Sequence, residues 1–374
     1  MKIPKISNHQ LFSLTACNSI GVALIAISAL MASIAKQDAW ISALITPVFG
    51  MLVMLIYWLL GSKYPNMSFV DIIKTILGKW LGLLVGSLYV FFYTIIGCHL
   101  PWYIGQFTTI SALPETPPYI ISLLFMIAVV IAELYGIEAI ARASEIFIIL
   151  ISVLFFLAML LVSPNAKIEN LKPIFEHGIT PILKSSIFLA CFTTFHLITL
   201  MGIYPYNIAN ISEAKKSILK GYLFGGIIIF VTIIMSLLVL GENITSKIQY
   251  PTYVLAKEIN IVKIFTRLEF LIALVWIVAI FVIGVLFFHA AVISLSEVLG
   301  LKDHRRIIIP LGLIMLVLSE VILPDIPYYA NWINLVWIPY SITIGLIIPV
   351  LLLLVYSVKK KIFKINKVKS KPCL

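Results

Sequence analysis

The chain has 374 residues, of which 61% are hydrophobic and 11% charged, against about 45–50% and about 25% in soluble proteins. A soluble fold of this size has too much surface to hide so many apolar side chains, which excludes soluble enzymes, nucleic-acid binders and disordered scaffolds and makes lipid the solvent. The net charge of +11 does not indicate a nucleic-acid partner, because much of it lies in one lysine-rich tail behind an apolar run.

A hydrocarbon core about 30 Å thick takes about 20 helical residues. Apolar runs between charge, Pro and Gly punctuation predict ten spans, hence an all-α integral membrane fold. Span one, near 10–35, carries Asn18-Ser19-Ile20-Gly21 close to its centre. Its uncharged stretch 11–35 is far longer than the apolar part of a cleavable signal. Span two covers about 40–61. Residues 62–79 then place Phe69, Ile72, Ile73, Ile76 and Leu77 at helical spacing with Asp71, Lys74 and Lys79 between them, an amphipathic helix for the cytoplasmic surface. Span three, about 80–110, is too long for an upright helix and is expected to tilt. Cys98, His99, Pro101 and Trp102 lie in its outer half.

Spans four (118–134) and five (137–162) meet at Tyr135-Gly136. Glu138, Arg142 and Glu145 share one face of span five, one to two turns inside its end. Ionisable residues within a span are costly, so these three form either a gate or proton-linked switch, or a structural ion pair. Span six (180–205) has Thr193-Thr194-Phe195-His196 near its middle, with Gly202 later. After span seven (215–240) comes a long outer loop, 242–266, with a predicted helix at 253–259 and enough length to act as a lid. Span eight (267–297) holds Trp276 near mid-depth, with His289 and Glu297 toward its end; spans nine (305–323) and ten (332–357) follow, Glu320 lying in span nine. Trp40, Trp58, Trp80 and Trp332 sit at span ends as interfacial anchors.

The tail 358–374 carries Lys359, Lys360, Lys361, Lys364, Lys367, Lys369 and Lys371, a juxtamembrane segment suited to anionic membrane lipid. With both termini cytoplasmic, the inner side holds more than twice as many Lys and Arg as the outer side, as the positive-inside rule requires. Cys17, Cys98, Cys191 and Cys373 have no metal or redox spacing and read as small hydrophobes in a reducing compartment. Cys373 is one residue too late for prenylation.

Ten spans divide five plus five, as an inverted repeat would: 1–162, then 180–357, then the tail. Broken helices at the midplane build binding sites in such folds. Small and hydrogen-bonding residues at matching depth in spans one and six are what an unwound stretch needs; the alternative is polar packing between intact helices. If both helices are broken, the half-helix after Gly21 points its positive end at a carboxylate and freed carbonyls take an ammonium, a site for a zwitterion. The candidate ligand-binding residues are Asn18, Ser19, Ile20, Gly21, Cys98, Thr193, Thr194, Phe195, His196 and Trp276. For His196 and Trp276, plain packing is the competing role. From Phe270 to Phe288, span eight has no Ser, Thr, Asn or Asp to supply hard oxygen ligands, so sodium coupling through it is not expected.

Distinct short blocks stand in order along the chain: Lys5-Ile6-Ser7 with Gln10; Gln37-Asp38-Ala39-Trp40; Leu77-Gly78-Lys79-Trp80-Leu81-Gly82; Ala141-Arg142-Ala143-Ser144-Glu145; Tyr250-Pro251; Arg267-Leu268-Glu269 with Trp276; and Gly300-Leu301-Lys302-Asp303. In this order and spacing the sequence resembles the spore germination permease family, the membrane B subunits of nutrient germinant receptors in endospore-forming bacteria. That family lies within the amino acid–polyamine–organocation transporters. The resemblance implies ten spans in a five-plus-five inverted fold with discontinuous helices one and six. It implies a small-molecule germinant, a membrane A subunit and a lipoprotein C subunit as partners, and the spore inner membrane as location. Two departures stand out: Ala23 replaces a second glycine of the superfamily's first broken helix, and Thr194-Phe195-His196 occupies the stretch of span six where relatives carry Gly or an acid. The competing function is a stand-alone proton-coupled amino acid transporter. An enzyme is not expected, and neither is a cofactor: HExxH, GxSxG, Walker-loop and metal-cluster patterns are absent from the sequence.

Overall fold

A computed structural model describes residues 5–259 and 269–369. The Arg267-Leu268 pair, the end of the outer loop (260–266), Lys371 and Cys373 lie outside them, as do the side chains of Lys361, Lys364, Lys367 and Lys369. The described residues are almost entirely helical, and an isolated parallel bridge joins Ile6 to Ile208.

Span one is two helices. Ser7, in extended backbone, caps α1 (Asn8–Ile20): its hydroxyl accepts from the Gln10 N–H at 3.1 Å, and the Gln10 side chain accepts from the Ser7 N–H at 3.0 Å. The Ser7…Gln10 block is therefore a capping box. α1 stops at Gly21, and α2 (Ala23–Ala35) starts after a two-residue turn. Lys36, at φ 54°, opens a short 3₁₀ turn before α3 (Ala39–Ser62). Within that turn Gln37 donates to Pro173 O at 2.7 Å and to Glu176 Oε2 at 2.9 Å, while Asp38 Oδ2 accepts from the Phe175 N–H at 3.0 Å. This block thus pins the connector that follows span five.

The predicted surface helix is α4 (Phe69–Leu77). Ser68 caps it, and Phe69, Val70, Ile72, Ile73 and Ile76 are buried. Gly78, at φ 88°, turns the chain into α5 (Lys79–Ser111), a continuous 33-residue helix running through Pro101. α6 (Pro118–Tyr135) and α7 (Ile137–Val162) meet at Gly136, φ 89°, where the sequence places their boundary. α8 (Ile179–Thr193) gives way at Thr194 to a 3₁₀ segment, Phe195–Gly202. α9 (Ile211–Thr245), the loop helix α10 (Pro251–Lys257), α11 (Glu269–Val298) and α12 (Arg305–Ile322) follow.

Span ten differs most from expectation. It begins at Ile326, not 332, and consists of α13 (Ile326–Trp332), α14 (Ile338–Ile342) and α15 (Ile348–Lys369), separated by π turns at Ile333–Trp337 and Thr343–Ile347. Pro339 and Pro349 lack the N–H groups that would bond Leu335 O and Gly345 O in an α-helix, so the backbone there takes a wider register.

Eight stretches of the described residues are long and apolar enough to cross a membrane. One of them, Ala23–Ser62, is 40 residues long and is divided by the turn at Lys36–Asp38. α12 is a further apolar helix that also carries Arg305, Arg306 and Glu320. Burial ranks the elements: 83% of the span-six window is inside the protein and 67% of the α11 window, against 28% for span ten. Spans six and eight are the interior, and α1 packs against α7, α9 and α11 beside them.

Candidate functional site

The breaks in spans one and six meet. Asn18 Nδ2 donates to Thr199 Oγ1 at 2.8 Å, and His196 Nε2 lies 2.8 Å from Asn18 O. Ser19 Oγ reaches Thr193 O at 3.4 Å, and Thr194 Oγ1 is 2.7 Å from the Tyr222 hydroxyl. Gly21 packs closely: a Cβ there would fall 1.7 Å from Ile283 Cδ1 of α11, so that side chain would have to move. Asn18, Ser19, Thr193, His196 and Thr199 thus meet, while Thr194 turns to Tyr222 of α9 and Gly21 packs on Ile283 of α11.

The expectation of free carbonyls is corrected, however. Backbone groups released by a broken helix must find partners in a dry interior, and side chains supply them here. Asn18 O is taken by His196 and Thr193 O by Ser19. Ile198 O accepts from Tyr93 at 3.3 Å, and Ile344 O from Tyr89 at 3.0 Å. The Tyr57 hydroxyl lies against both Phe195 O, at 3.2 Å, and Gly345 O, the carbonyl that Pro349 leaves without an N–H. These tyrosines were not read from the sequence. The signal was a phenol at mid-span, which must carry its hydroxyl to a buried acceptor.

A cavity of about 30 Å³ opens beside the junction, lined in part by Val22, His99, Phe192, His196, Phe287 and Trp332. A larger one, about 250 Å³, shares Val22, Tyr103, Phe192 and Tyr329 with it and extends to Ser33, Ser246 and Gln249. Of the expected ligand residues, only His196 lines either cavity. Phe195 turns its ring to Phe49, 6.1 Å away and edge-on, and Ile20 and Cys98 are buried in the core. Trp276 packs behind the wall on Phe107 and Tyr103, at 4.7 and 5.4 Å.

Sequence reasoning left His99 out of the site, one residue from Cys98, and set Trp332 at a membrane interface. In the structure the two rings lie 4.1 Å apart. Trp332 also stacks on Trp337 at 6.0 Å. Residues five apart do not share a face of an α-helix; the π turn between them brings the rings together. Trp80, by contrast, is 84% exposed, as a lipid-facing anchor would be.

At the end of the bundle that carries both termini, the N-terminal segment is tied to span five. Lys5 N–H donates to Glu138 Oε1 at 3.0 Å, His9 Nδ1 is 2.7 Å from Glu145 Oε1, and Arg142 pairs with Glu138 at 3.3 Å. Glu138 and Glu145 therefore bind different groups, although they share a helix face. Deeper in, His289 Nδ1 of α11 lies 2.9 and 3.1 Å from the two carboxylate oxygens of Glu133 of α6, both residues buried. Glu133 was missed, its partner being 156 positions away. Among the described residues no His, Cys, Asp or Glu cluster could hold a metal ion.

The transporter MhsT, solved in complex with L-phenylalanine, superposes with TM-score 0.64 at 14% identity, over 95% of this chain and 99% of that one. Mhp1, a nucleobase-cation-symport-1 family transporter in a closed conformation with bromovinylhydantoin bound, gives 0.66 at 12% identity, over 91% and 76%. The fold is thus that of these transporters. Spore germination protein KB of Bacillus subtilis (strain 168) is 26% identical over 364 residues, 96% of this chain and 97% of that protein. Spore germination protein XB of Bacillus anthracis is 27% identical over 246 residues, 65% and 67% of the two chains. The profile of the family described as Spore germination protein matches residues 5–325. With that match over most of its length, the chain belongs to the spore germination permease family, a family of multi-pass membrane proteins and not of enzymes.

Proposed function

We propose that this protein is the solute-binding membrane subunit of a nutrient germinant receptor. A small organic solute, with an amino acid as the leading class, enters the cavity beside the junction of spans one and six, and its binding helps to trigger spore germination. The observation that carries this reading is the cavity itself. It lies against two broken helices, in a germination-family chain whose fold is shared with transporters. A ligand shifts conformation only by binding one conformer better, so the solute must prefer one arrangement of the junction, which the A and C subunits then read. The protein crosses the spore inner membrane ten times in two five-span repeats, with both termini cytoplasmic. The contacts of Glu138, Arg142 and Glu145, two of them to the N-terminal segment, act as the inner gate.

A thermal-shift screen of amino acids and nucleosides on the purified full chain tests the reading. Stabilisation by at least one compound is expected, and none would defeat it. One observation favours a second reading, a proton-coupled amino acid transporter working alone: the carboxylate–imidazole contact of Glu133 and His289 is a buried titratable pair. Steady accumulation of an amino acid in vesicles, driven by a pH gradient, would establish transport in place of sensing.

A further inference from the structure

The side chains of Glu133 and His289 are only 2% and 6% exposed, and His289 Nδ1 faces both carboxylate oxygens, at 2.9 and 3.1 Å. A carboxylate only accepts, so with Glu133 ionised Nδ1 carries the N–H. If the imidazole is also neutral, Nε2 is a bare lone pair and the two groups bear one negative charge. One added proton makes them neutral. Whether that state is written as carboxylate with imidazolium or as carboxylic acid with imidazole, Nε2 then carries an N–H. Nε2 is therefore the atom at which the pair gains or loses its proton, and it is buried and has no partner among the described residues.

A net charge in a dry interior is costly, and protons on two groups this close belong to the pair rather than to either residue. Ionisable groups on the neighbouring elements are engaged elsewhere. Glu138, Arg142 and Glu145 of α7 bind each other or the N-terminal segment, including His9 of α1. Lys74 of α4 pairs with Asp71, and Lys257 of α10 lies over Tyr253. His196 of the 3₁₀ segment contacts Asn18 O, and on α5 Lys79 is the first residue while His99 contacts Ile95 O. On α11 itself Glu297 faces Ser68, and Glu269 stands at the opposite end.

The start of α12 is different. Gly312 of α12 lies against Val130 of α6 and Phe288 of α11: a Cβ there would fall 2.5 Å from Val130 Cγ2 and 3.6 Å from Phe288 Cζ. At about 1.5 Å per helical residue, Glu133 lies about 4–5 Å from that contact toward the end of the bundle that carries both termini, and His304 about 12 Å. His304 reaches the solution, with Lys302, Asp303, Arg305 and Arg306 exposed around it. Partial burial holds its imidazole below the usual range; the charges of Glu133 and Asp303 pull it up, and those of His289 and Arg305 pull it down. The solvent-facing histidine thus feels both members of the buried pair.

We infer that Glu133 and His289 form a proton-binding site, filled at His289 Nε2 from the end of the bundle that carries both termini, with His304 as its entry group. One proton leaves the His304 ring and one N–H forms at the Nε2 lone pair, so the pair passes from one negative charge to neutral and solution returns the proton to His304. The axial separation of about 7–8 Å exceeds a hydrogen bond, so bridging water carries the transfer. Emptying the site leaves a lone carboxylate between α6 and α11, which links proton occupancy to the packing of those helices. This goes beyond the solute-binding reading and depends on no solute.

The test is solid-state nitrogen-15 NMR of histidine-labelled full chain in liposomes, with His289→Asn assigning the His289 signals. As pH rises, Nε2 should pass from protonated to bare while Nδ1 keeps its proton. Glu133→Gln, uncharged and of the same shape, should lose the Nε2 proton at a pH where the parent still holds it. Should that variant not elute as a monodisperse folded protein, Glu133→Asp takes its place and should move the Nε2 titration by drawing the carboxylate back. His304→Gln should still fill the site at equilibrium, but proton uptake after a pH jump, followed by infrared difference against the Glu133 variant, should slow severalfold. An Nε2 that keeps one state wherever the protein stays folded, or titrates alike in the parent and the Glu133 variant, would overturn the site. Parent-like uptake in His304→Gln would overturn its entry role. Either result leaves the solute-binding reading standing, and a solute screen without a hit leaves the proton site standing.

Discussion

Around the breaks in spans one and six, polar side chains serve mainly the backbone, whereas between α6 and α11 they serve each other. His196, Ser19, Tyr93 and Tyr57 each reach a main-chain carbonyl. His289 and Glu133 contact one another across two unbroken helices. The difference follows from what each site must satisfy. A broken helix releases peptide groups that cannot be removed by mutation, so the side chains there answer a permanent demand. An intact helix makes no such demand, and a side-chain pair on it is a self-contained addition. The pair should therefore be removable as a unit, and the junction should not.

Glu133→Leu tests this most severely. It strands a buried imidazole, and leaving a buried polar group without its partner costs about 1–3 kcal/mol. The melting temperature of purified protein should fall accordingly, and adding His289→Leu should restore most of the loss. Failure of the double variant to recover would show that the pair supports the backbone as well and would collapse the comparison.

Gly21→Leu comes next. Its Cβ alone would lie 1.7 Å from Ile283 Cδ1, and overpacking of this kind costs about 1–3 kcal/mol. The variant should still insert into membranes but should lose every ligand-induced thermal shift. Ile283→Ala in the same chain should return part of it, because the obstruction is a movable side-chain end. Gly345→Ala offers the sharper contrast. There a Cβ meets Phe195 O at 2.4 Å, a backbone atom that cannot rotate away, so no single companion substitution should rescue it.

Tyr57→Phe removes the hydroxyl that faces Phe195 O and Gly345 O. Leaving a buried acceptor short costs about 1–3 kcal/mol. The loss should appear in the melting curve, and no second apolar substitution nearby should repair it, in contrast to the Glu133–His289 pair. A Tyr57→Phe variant as stable as the parent would mean that the junction's carbonyls do not depend on side-chain donors.

The parts legible in the sequence were those set by local pattern. The amphipathic run 69–77, the Tyr135-Gly136 boundary and the polar clusters at 18–21 and 193–196 all announce themselves through spacing or composition within a few residues. What the sequence hid was long-range or depended on register. Glu133 gave no signal within span four, because its partner, His289, comes from α11, 156 positions away. Trp332 looked like an anchor because a 3.6-residue period gave it no reason to stack on Trp337. The cavity wall was hidden for a third reason: hydrophobic periodicity cannot distinguish an aromatic ring that packs from one that borders a void.

The weakest effect belongs to the exposed end of the bundle. Arg142 and Glu138 are paired at 3.3 Å, with side chains 70% and 40% exposed. Solvent screening limits such pairs to less than about 1 kcal/mol, so Arg142→Ala should move the melting temperature little. The contact of Glu138 with the Lys5 N–H does not depend on the arginine, and the N-terminal segment should stay docked. Glu145→Gln should act differently, because His9 and Gln10 of α1 both turn to that carboxylate. If the inner end gates access to the junction, this variant should change ligand response while stability stays near the parent's. Equal, negligible effects of Arg142→Ala and Glu145→Gln on response would reduce the whole cluster to a solvated surface pair and leave the cavity as the bundle's single site of control.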